Sequence, residues 1–318
     1  MAHLVESMAY VQETPWHGLG NLLPEHQPLE VWLHSAGMNW NINEAPVLYN
    51  VGGENSLHLK GNQEAKVLYR SDDHSPLSVV SKRYQVVQPR EVLEFYRSLV
   101  SAGGFELETA GVLKGGRKLW ALAKTGQETL LKGGDQVKAY LLLATSCDGT
   151  LCTTAQFTSV RVVCNNTLQM AVADSSGSVK VPHSTKFDPA MVKEALGLGI
   201  SNWDRFLDSM RQLSNRPVHK FEAMNYLVNV LGNPDLPLVD QPNQKALQQV
   251  YGLYSGAGKG SELASANGTA WGLLNSVTEF VDHSRRARNQ DYRLDSAWFG
   301  QGAALKAKAF TEALKMAA

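Results

Sequence analysis

The hydrophobic pattern of this 318-residue chain changes near residue 188, and the change limits the folds that the chain can adopt. Before that point, short β-rich segments alternate with turns. After it, apolar residues recur at helical spacing. Local hairpins followed by helices predict an α+β fold, in which an antiparallel β-sheet of hairpins packs against a helix and is followed by a helical C-terminal region. We expect an α+β sheet domain over residues 1–185 and a helical domain over 186–318.

Two hairpins are predicted in the first part. Residues 105–113 and 118–124 flank a Lys-Gly-Gly-Arg turn, and residues 137–146 and 151–163 flank an Asp-Gly turn. Residues 141–144 are all apolar, which predicts a central strand covered on both faces. The other predicted elements are short strands over 65–70, 77–80 and 84–87, and helices over 28–36, 90–102, 189–213, 221–231, 244–254, 267–284 and 301–316.

Composition excludes several classes of protein. Hydrophobic residues make up 43% of the chain and charged residues 19%, which excludes global disorder. Lys+Arg and Asp+Glu both number 30, so the whole surface is not a polyanion-binding surface, although a local basic groove stays possible. Three cysteines favour a reducing compartment, and neither a membrane span nor a secretory signal is predicted. We expect a protein of the cytoplasm with no membrane partner.

The segment 159–168 begins with an apolar, β-branched run that contains one arginine and then changes to polar residues. Because an unpaired buried charge is costly, Arg161 must either pair with a carboxylate or face a ligand that has anionic or planar acceptor groups. Asp148 and Glu106 are the candidate carboxylates. The polar residues that follow, which can bind a polar ligand, are Asn165, Asn166 and Thr167.

Basic and aromatic residues alternate through the predicted sheet, a mixture that suits single-stranded nucleic acid because cations contact phosphates and exposed rings stack on bases. The candidate phosphate-binding residues are Lys82, Arg83, Lys114, Arg117, Lys118 and Arg161. The candidate stacking residues are Trp16, Tyr84 and Trp120. The alternative interpretation is a set of solvated hairpin turns together with core aromatics.

Two further segments have alternative interpretations. Residues 283–288 (HSRRAR) are either a charge-matched helix end or a patch that contacts phosphate or another subunit. Residues 255–261 are rich in glycine and serine but lack the P-loop motif, so we expect a flexible loop.

Enzymatic chemistry finds little support in the residue pattern. The cysteines and histidines lack metal-ligand spacing, so we expect no metal and no cofactor. A dyad of Cys164 with His17 or His183 is the only nucleophile arrangement that the pattern leaves open, and a buried structural cysteine is the alternative. We expect a protein that is not an enzyme.

Three unusual strings together resemble one family: residues 13–20 (ETPWHGLG), 161–168 (RVVCNNTL) and 268–283 (GTAWGLLNSVTEFVDH), with Phe299-Gly300 and Lys306 beyond them. The chain resembles the phage/plasmid-like proteins of tailed phages, prophages and plasmids, a family described as a domain of unknown function. The resemblance implies a DNA-metabolism setting in a mobile element. In architecture alone, the order of hairpins and helix is also similar to ring-forming single-strand annealing proteins of phage recombination.

These observations lead to a primary hypothesis and two alternatives. The first is a non-enzymatic, homo-oligomeric protein that binds single-stranded DNA for annealing, recombination or replication, with the cations on phosphates, the three rings on bases, and Asn165, Asn166 and Thr167 in polar contacts. The second is a phage-encoded interaction protein that inhibits a host defence or regulatory factor. An enzyme built around Cys164 is the third.

Overall fold

Two β-sheets and a series of helices are seen in the computed structural model, which describes residues 7–11, 20–52, 56–103, 105–163, 166–169, 178–197 and 201–318. The strands are β1 (Ser7–Val11), β2 (Asn21–Leu23), β3 (Ile42–Asn50), β4 (Leu59–Arg70), β5 (Pro76–Ser81), β6 (Glu106–Leu113), β7 (Lys118–Leu131), β8 (Asp135–Ser146), β9 (Thr153–Arg161), β10 (Asn166–Gln169) and β11 (Ser178–Val181). The helices are α1 (Leu29–Ser35), α2 (Pro89–Gly103), α3 (Pro189–Gly197), α4 (Ser201–Asn215), α5 (Lys220–Leu231), α6 (Gln244–Gly252), α7 (Ala270–Glu279), α8 (Gln290–Phe299) and α9 (Gln301–Ala317).

The larger sheet has the strand order β10-β9-β8-β7-β6-β1-β2, and β11 pairs with β9. The two predicted hairpins are its neighbours β6–β7 and β8–β9, and the α+β class is confirmed. The sheet is not wholly antiparallel, because β1 pairs in parallel with β2. Residues 141–146 of β8 are all buried, which confirms that this strand is central.

The β6–β7 turn requires its glycines. Lys114, Gly115 and Gly116 have φ angles of 56°, 68° and 97°, in the left-handed region that glycine tolerates best. A Cβ atom on Gly116 would lie 3.0 Å from the Trp40 ring and 3.1 Å from Leu77, so this backbone also packs closely against its neighbours. The predicted Lys-Gly-Gly-Arg turn is therefore both a reversal and a packing contact.

The smaller sheet has the order β3-β4-β5. Its β3–β4 hairpin was not predicted as such, because only residues 65–70 carry a clear strand pattern. Much of it is exposed, including the apolar residues Leu48, Tyr49, Val51, Leu57 and Leu59. The predicted strand over 84–87 is wrong, since those residues have no regular secondary structure.

Contacts divide the chain into two compact units. Unit 1 comprises Met1–Thr125, Leu141–Ala155 and Val179–Ala195, and unit 2 comprises Gly126–Tyr140, Gln156–Ser178 and Leu196–Ala318. Strands β7, β8 and β9 therefore contribute residues to both units. The division into a domain over 1–185 and a domain over 186–318 stays a prediction, because a compact unit is not the same as an independently folding domain.

The core of unit 1 contains α2 packed against β6. Phe95 and Tyr96 are both 1% exposed. The Tyr96 hydroxyl donates to the carbonyl of Ala121 at 2.8 Å and lies 3.1 Å from that of Leu141. Burial raises the pKa of Tyr96 well above its ordinary value, so its hydroxyl stays a donor.

The core of unit 2 is built mainly from helices. The predicted helix over 189–213 is two helices, α3 and α4, and α8 was not predicted. Every residue of α7 is buried, and α7 packs against α4, α9 and β10. Within the described residues, no helix is both long enough and apolar enough to span a membrane.

Replacing Tyr96 by phenylalanine should lower the free energy of unfolding by about 1 kcal/mol, because the carbonyl groups in the core lose a hydroxyl donor. Urea unfolding followed by circular dichroism would measure the loss. The control is Tyr49→Phe, whose side chain is 51% exposed and whose replacement should change little. Equal unfolding midpoints for the two variants would contradict the role given to the Tyr96 hydroxyl.

Candidate functional site

Arg161 forms a buried ion pair with Asp135 in unit 2. The Arg161 Nε donates to both Asp135 carboxylate oxygens, at 2.8 and 3.0 Å. The two side chains are 3% and 0% exposed. Arg161 is the last residue of β9 and Asp135 the first of β8, so the sheet itself brings the two charges together.

The remaining polar atoms of the pair also find partners. Ser265 donates to Asp135 Oδ2 at 2.6 Å, and the Trp271 indole donates to the same oxygen at 3.0 Å. The Arg161 Nη2 donates to the carbonyl of Gly260 at 2.9 Å, and Nη1 reaches that of Lys259 at 3.3 Å. A buried ion pair is tolerated when its hydrogen-bonding capacity is filled in this way.

The Gly/Ser-rich loop is therefore anchored. Gly260 has a φ of +68°, and a Cβ atom there would lie 2.7 Å from Val163 and 3.1 Å from Arg161 Nη2. The absence of a side chain lets the loop backbone reach the guanidinium. The flexibility expected for this loop stays a prediction, while the structure shows that the carbonyls of Lys259 and Gly260 bind Arg161.

Arg161 was predicted either to pair with a carboxylate or to face a ligand, and in the structure it pairs with a carboxylate. The partner is Asp135, whereas Asp148 and Glu106 were the candidates named from the sequence, so that part of the prediction is wrong. Asp135 follows two glycines and begins a strand, a setting that gives little sequence signal of burial. The Arg161 side chain is buried, so it does not present its guanidinium to a phosphate at the surface.

A second buried network joins β10, the end of α7 and α9. Lys306 Nζ donates to Asp282 Oδ1 and to Thr167 Oγ1, both at 2.7 Å. Asp282 Oδ2 accepts from the Thr167 backbone N–H at 2.8 Å and lies 3.2 Å from its hydroxyl. The exposed fractions are 2% for Lys306, 1% for Asp282 and 7% for Thr167, so the three groups form a closed polar cluster.

Lys306 lies in the apolar stripe of α9, four positions before Phe310 and three after Ala303. Burial lowers the pKa of Lys306, while the attraction and hydrogen bond of Asp282 act in the opposite direction. A lysine within an apolar stripe is the sequence signal that could have revealed this network. In the sequence, Lys306 and Asp282 stood out only as parts of the family resemblance, without a predicted role.

His283 extends the second network toward the surface. Its Nε2 lies 3.0 Å from Asn166 Oδ1, and the Asn166 amide donates to the carbonyl of Asn275 at 3.3 Å. Asn166 is 3% exposed and Thr167 is 7% exposed, so both lie inside the protein. The prediction that they face a ligand at the surface is wrong. His283 belongs to a π-helical turn, Phe280–Ser284, that continues α7. Such turns occur frequently at functional sites.

The exposed cations predicted in unit 1 lie around the turn between β8 and β9. Cys147 of that turn donates its N–H to the Arg117 carbonyl at 2.9 Å, and Ser146 accepts from the Tyr84 hydroxyl at 2.7 Å. These bonds place the β6–β7 turn and the residues after β5 beside the same reversal. Lys82, Arg83 and Arg117 are exposed and Lys114 is half-buried. We call these four residues the hairpin cations.

Three other predicted contact residues are inside unit 1. Lys118 is 4% exposed, Trp120 1% and Tyr84 9%. The expectation that Tyr84 and Trp120 present their rings to bases is wrong, since Tyr84 stacks on His183 at 4.4 Å between centroids and Trp120 is in the core. Trp16 and Asn165 lie outside the described residues.

The nucleophile and metal predictions are only partly covered by the described residues. Cys164 and His17 lie outside them. His183 has its ring nitrogens 3.1 and 2.9 Å from the carbonyls of Gln85 and Leu151. Burial raises the pKa of Cys147 to about 12, so that thiol stays protonated. Among the described residues, no group of three or more His, Cys, Asp or Glu side chains could hold a metal ion.

Comparison with known proteins gives one match. A family model described as "Domain of unknown function (DUF932)" matches residues 76–298, which is more than half of the chain. No curated protein matches the chain. No solved structure matches it either. The matched range includes Asp135, Arg161, Thr167 and Asp282, and ends before Lys306.

Removing either partner of the Asp135–Arg161 pair should lower the free energy of unfolding by about 3–5 kcal/mol, because the other charge is left buried and unpaired. Asp135→Asn and Arg161→Met test this in urea unfolding. The double variant should lose less than the sum of the two single losses. The matched control is the exposed pair of Asp208 and Arg211, 3.7 Å apart, where the same replacements should change stability by less than about 1 kcal/mol. Additive losses at the buried pair would contradict the coupling.

Glu279 should make stability depend on pH in the acid range. Burial raises its pKa above the ordinary 4.5, against the opposing effects of the Lys259 N–H and charge and the Arg161 charge. Its contribution is therefore fully present below pH 4.5 and is lost as the pH rises through the raised value. The difference in stability between the native protein and Glu279→Gln should therefore become smaller as the pH rises above 4.5. Thermal unfolding of both proteins between pH 4 and pH 8 would measure this difference. A difference that is flat or rises with pH would contradict it.

Proposed function

The chain belongs to the family described as "Domain of unknown function (DUF932)", and we propose that it is a non-enzymatic protein that binds single-stranded DNA. The proposed process is annealing, recombination or replication of a mobile genetic element in the host cytoplasm. The observation that carries the proposal is the group of hairpin cations beside one reversal of the larger sheet. Clustered cations attract a phosphate backbone even in a chain whose formal net charge is +0.

Three of the hairpin cations are available for such contacts. Among Lys82, Arg83 and Arg117, none takes part in an ion pair with a described residue. Backbone contacts of this type carry no sequence information, so binding should be independent of sequence. They also release counterions, so affinity should fall steeply with salt.

Base stacking is a smaller part of the proposal than the sequence suggested. Tyr84 and Trp120 are buried, so their rings do not offer stacking platforms in this conformation. The proposed affinity therefore depends mainly on phosphate contacts, with Trp16 kept as a candidate for stacking. Because few ring contacts are left to support binding, replacing any one of the cations should lower the affinity for single-stranded DNA more strongly.

The alternative function is that of a phage-encoded interaction protein that inhibits a host defence or regulatory factor. The exposed β3–β4 hairpin favours it, since Leu57 is 80% exposed and Leu48 and Tyr49 about half exposed. Exposed apolar side chains grouped on one hairpin favour protein contacts. The same surface suits the homo-oligomer that we propose for the DNA-binding function.

Fluorescence anisotropy with a labelled single-stranded oligonucleotide across a salt series tests the proposal. We expect binding that weakens steeply with salt. In Lys82→Gln/Arg83→Gln, the slope of log K against log salt should be less steep by about 1.4, because each phosphate contact to a single strand contributes about 0.7. Light scattering on the same samples would report the oligomer.

The matched control removes two exposed lysines from unit 2, as Lys220→Gln/Lys245→Gln, and should leave the slope unchanged. Absence of binding at low salt, where phosphate contacts are strongest, would overturn the DNA-binding function and favour the protein-partner alternative. Equal affinity for duplex DNA of the same length would overturn the preference for a single strand.

A further inference from the structure

Four arginines lie within the segment 285–295 of unit 2, which we call the arginine segment. It contains Arg285, Arg286, Arg288 and Arg293, against Asp291 and Asp295. Asp291 is 1% exposed, and its charge still counts against those of the arginines. Four guanidinium groups against two carboxylates leave an excess of two positive charges in a chain that is neutral overall.

None of the four arginines forms an ion pair with a carboxylate in the part of the chain that the structure describes. Arg285 donates through Nη2 to the Gln301 side chain at 3.3 Å, and Arg293 donates through Nη1 to the His283 carbonyl. Both of these acceptors are neutral. No ion pair with a described carboxylate therefore neutralises the excess of positive charge in the segment.

Two guanidinium nitrogens of the segment are buried without an acceptor: Nη1 of Arg285 and Nε of Arg293. An unsatisfied buried donor is costly, and more so when it is charged. Such atoms are rare in folded proteins, so each calls for an explanation. Because Arg293 binds the carbonyl of His283, two residues before Arg285, both unsatisfied donors belong to one small region.

The backbone of the segment is held in place. The Arg285 N–H donates to the Phe280 carbonyl at 2.6 Å, which closes the π-helical turn. The Asn289 side chain accepts from the Tyr292 N–H at 3.0 Å. Upstream, His283 contacts Asn166 of the second buried network. The side chains therefore project from a preorganised support, which reduces the entropy lost on binding.

The remaining two arginines are exposed. The Arg288 guanidinium lies 5.5 Å from the centroid of the Tyr292 ring, and the Arg286 side chain has no hydrogen bond or ion pair with a described residue. Arg288 and Arg286 could thus contact successive groups of an extended anion, while Arg285 and Arg293 hold one group at the base.

We propose that the arginine segment is a phosphate-binding site whose ligand is the backbone of a nucleic-acid strand. Arg285 and Arg293, each with one buried nitrogen that has no acceptor in the described chain, contact one phosphate, and Arg286 and Arg288 contact its neighbours. Guanidinium groups suit this ligand because their planar donors match phosphate oxygens. The choice of a nucleic-acid strand rests on the proposed function, whereas the phosphate chemistry rests on the segment alone.

The first experiment measures single-stranded DNA binding by anisotropy for the native protein and for Arg286→Gln/Arg288→Gln. Both side chains are exposed, so the variant should fold normally. We expect the affinity at low salt to fall about tenfold or more. The slope of log K against log salt should be less steep by about 1.4. The control, Arg205→Gln/Arg211→Gln, removes two exposed arginines from α4 and should leave both quantities unchanged.

The second experiment uses inorganic phosphate and needs no DNA. Thermal unfolding of the native protein and of Arg285→Gln is compared in sodium phosphate and in sodium chloride of equal ionic strength. The comparison between proteins removes the general stabilisation that phosphate salts give. We expect phosphate to raise the unfolding temperature of the native protein more than that of Arg285→Gln, because only a bound ligand shifts the equilibrium in this way.

The two experiments separate the inference from the function on which it rests. DNA binding that is unaffected by Arg286→Gln/Arg288→Gln overturns the role of the arginine segment and leaves the DNA-binding function intact. Absence of DNA binding together with a phosphate effect lost in Arg285→Gln excludes a nucleic-acid strand as the source of the phosphate. An equal phosphate effect in both proteins overturns the site itself.

Discussion

The ion pair between Asp135 and Arg161 is the interaction on which the organisation of unit 2 depends. It joins the start of β8 to the end of β9, and it collects the backbone of the Gly258–Ser261 loop, Ser265 and the indole of Trp271 around one carboxylate and one guanidinium. Buried ion pairs add little net stability compared with apolar residues of similar volume. The partners of this pair include the loop carbonyl of Gly260 and the Trp271 indole of α7, so the pair connects the loop and α7 to the start of β8 and the end of β9.

The network of Lys306, Asp282 and Thr167 is a second buried charge cluster, just beyond the end of α7. Asp282 belongs to the π-helical turn, in which the extra residue per turn changes the direction that side chains take. One consequence is that Asp282 points at Lys306 while the next residue, His283, reaches Asn166. The arginine segment begins directly after this turn. The buried network thus fixes the support from which the exposed cations project, and the two features have one structural cause.

Much of the architecture could be predicted from the sequence because local signals were strong. Proline and glycine bounded α2, alternation and glycine turns gave the two central hairpins, and a continuous apolar run gave the buried part of β8. The β3–β4 hairpin and α8 were missed because their stability comes from tertiary context, not from a clear period. Lys82, Arg83 and Arg117 are on the surface as expected, whereas Lys118 is buried. Buried and exposed rings could not be told apart from the sequence, since both kinds are apolar and β-forming.

The candidate site was harder to predict, because its key contacts join residues that are far apart in the chain. Arg161 was recognised as anomalous, yet its partner lies 26 residues earlier and the loop that covers it about a hundred residues later. A charge in an apolar run indicates that a partner exists, but not which carboxylate provides it. Lys306 shows that the same signal also occurs in helices, where a cation interrupts an apolar stripe.

The distribution of charge explains how a neutral chain can have basic surfaces. Among the described residues, the buried charged side chains are four cations (Arg70, Lys118, Arg161 and Lys306) and four carboxylates (Asp135, Glu279, Asp282 and Asp291). The interior is therefore balanced, and it removes as many negative as positive charges from the surface. Since the surface as a whole also stays near neutral, the field outside the protein depends on local clustering, and long-range attraction is screened within about 10 Å at ordinary salt. A polyanion would thus bind where cations are concentrated, and the hairpin cations in unit 1 and the arginine segment in unit 2 meet that condition.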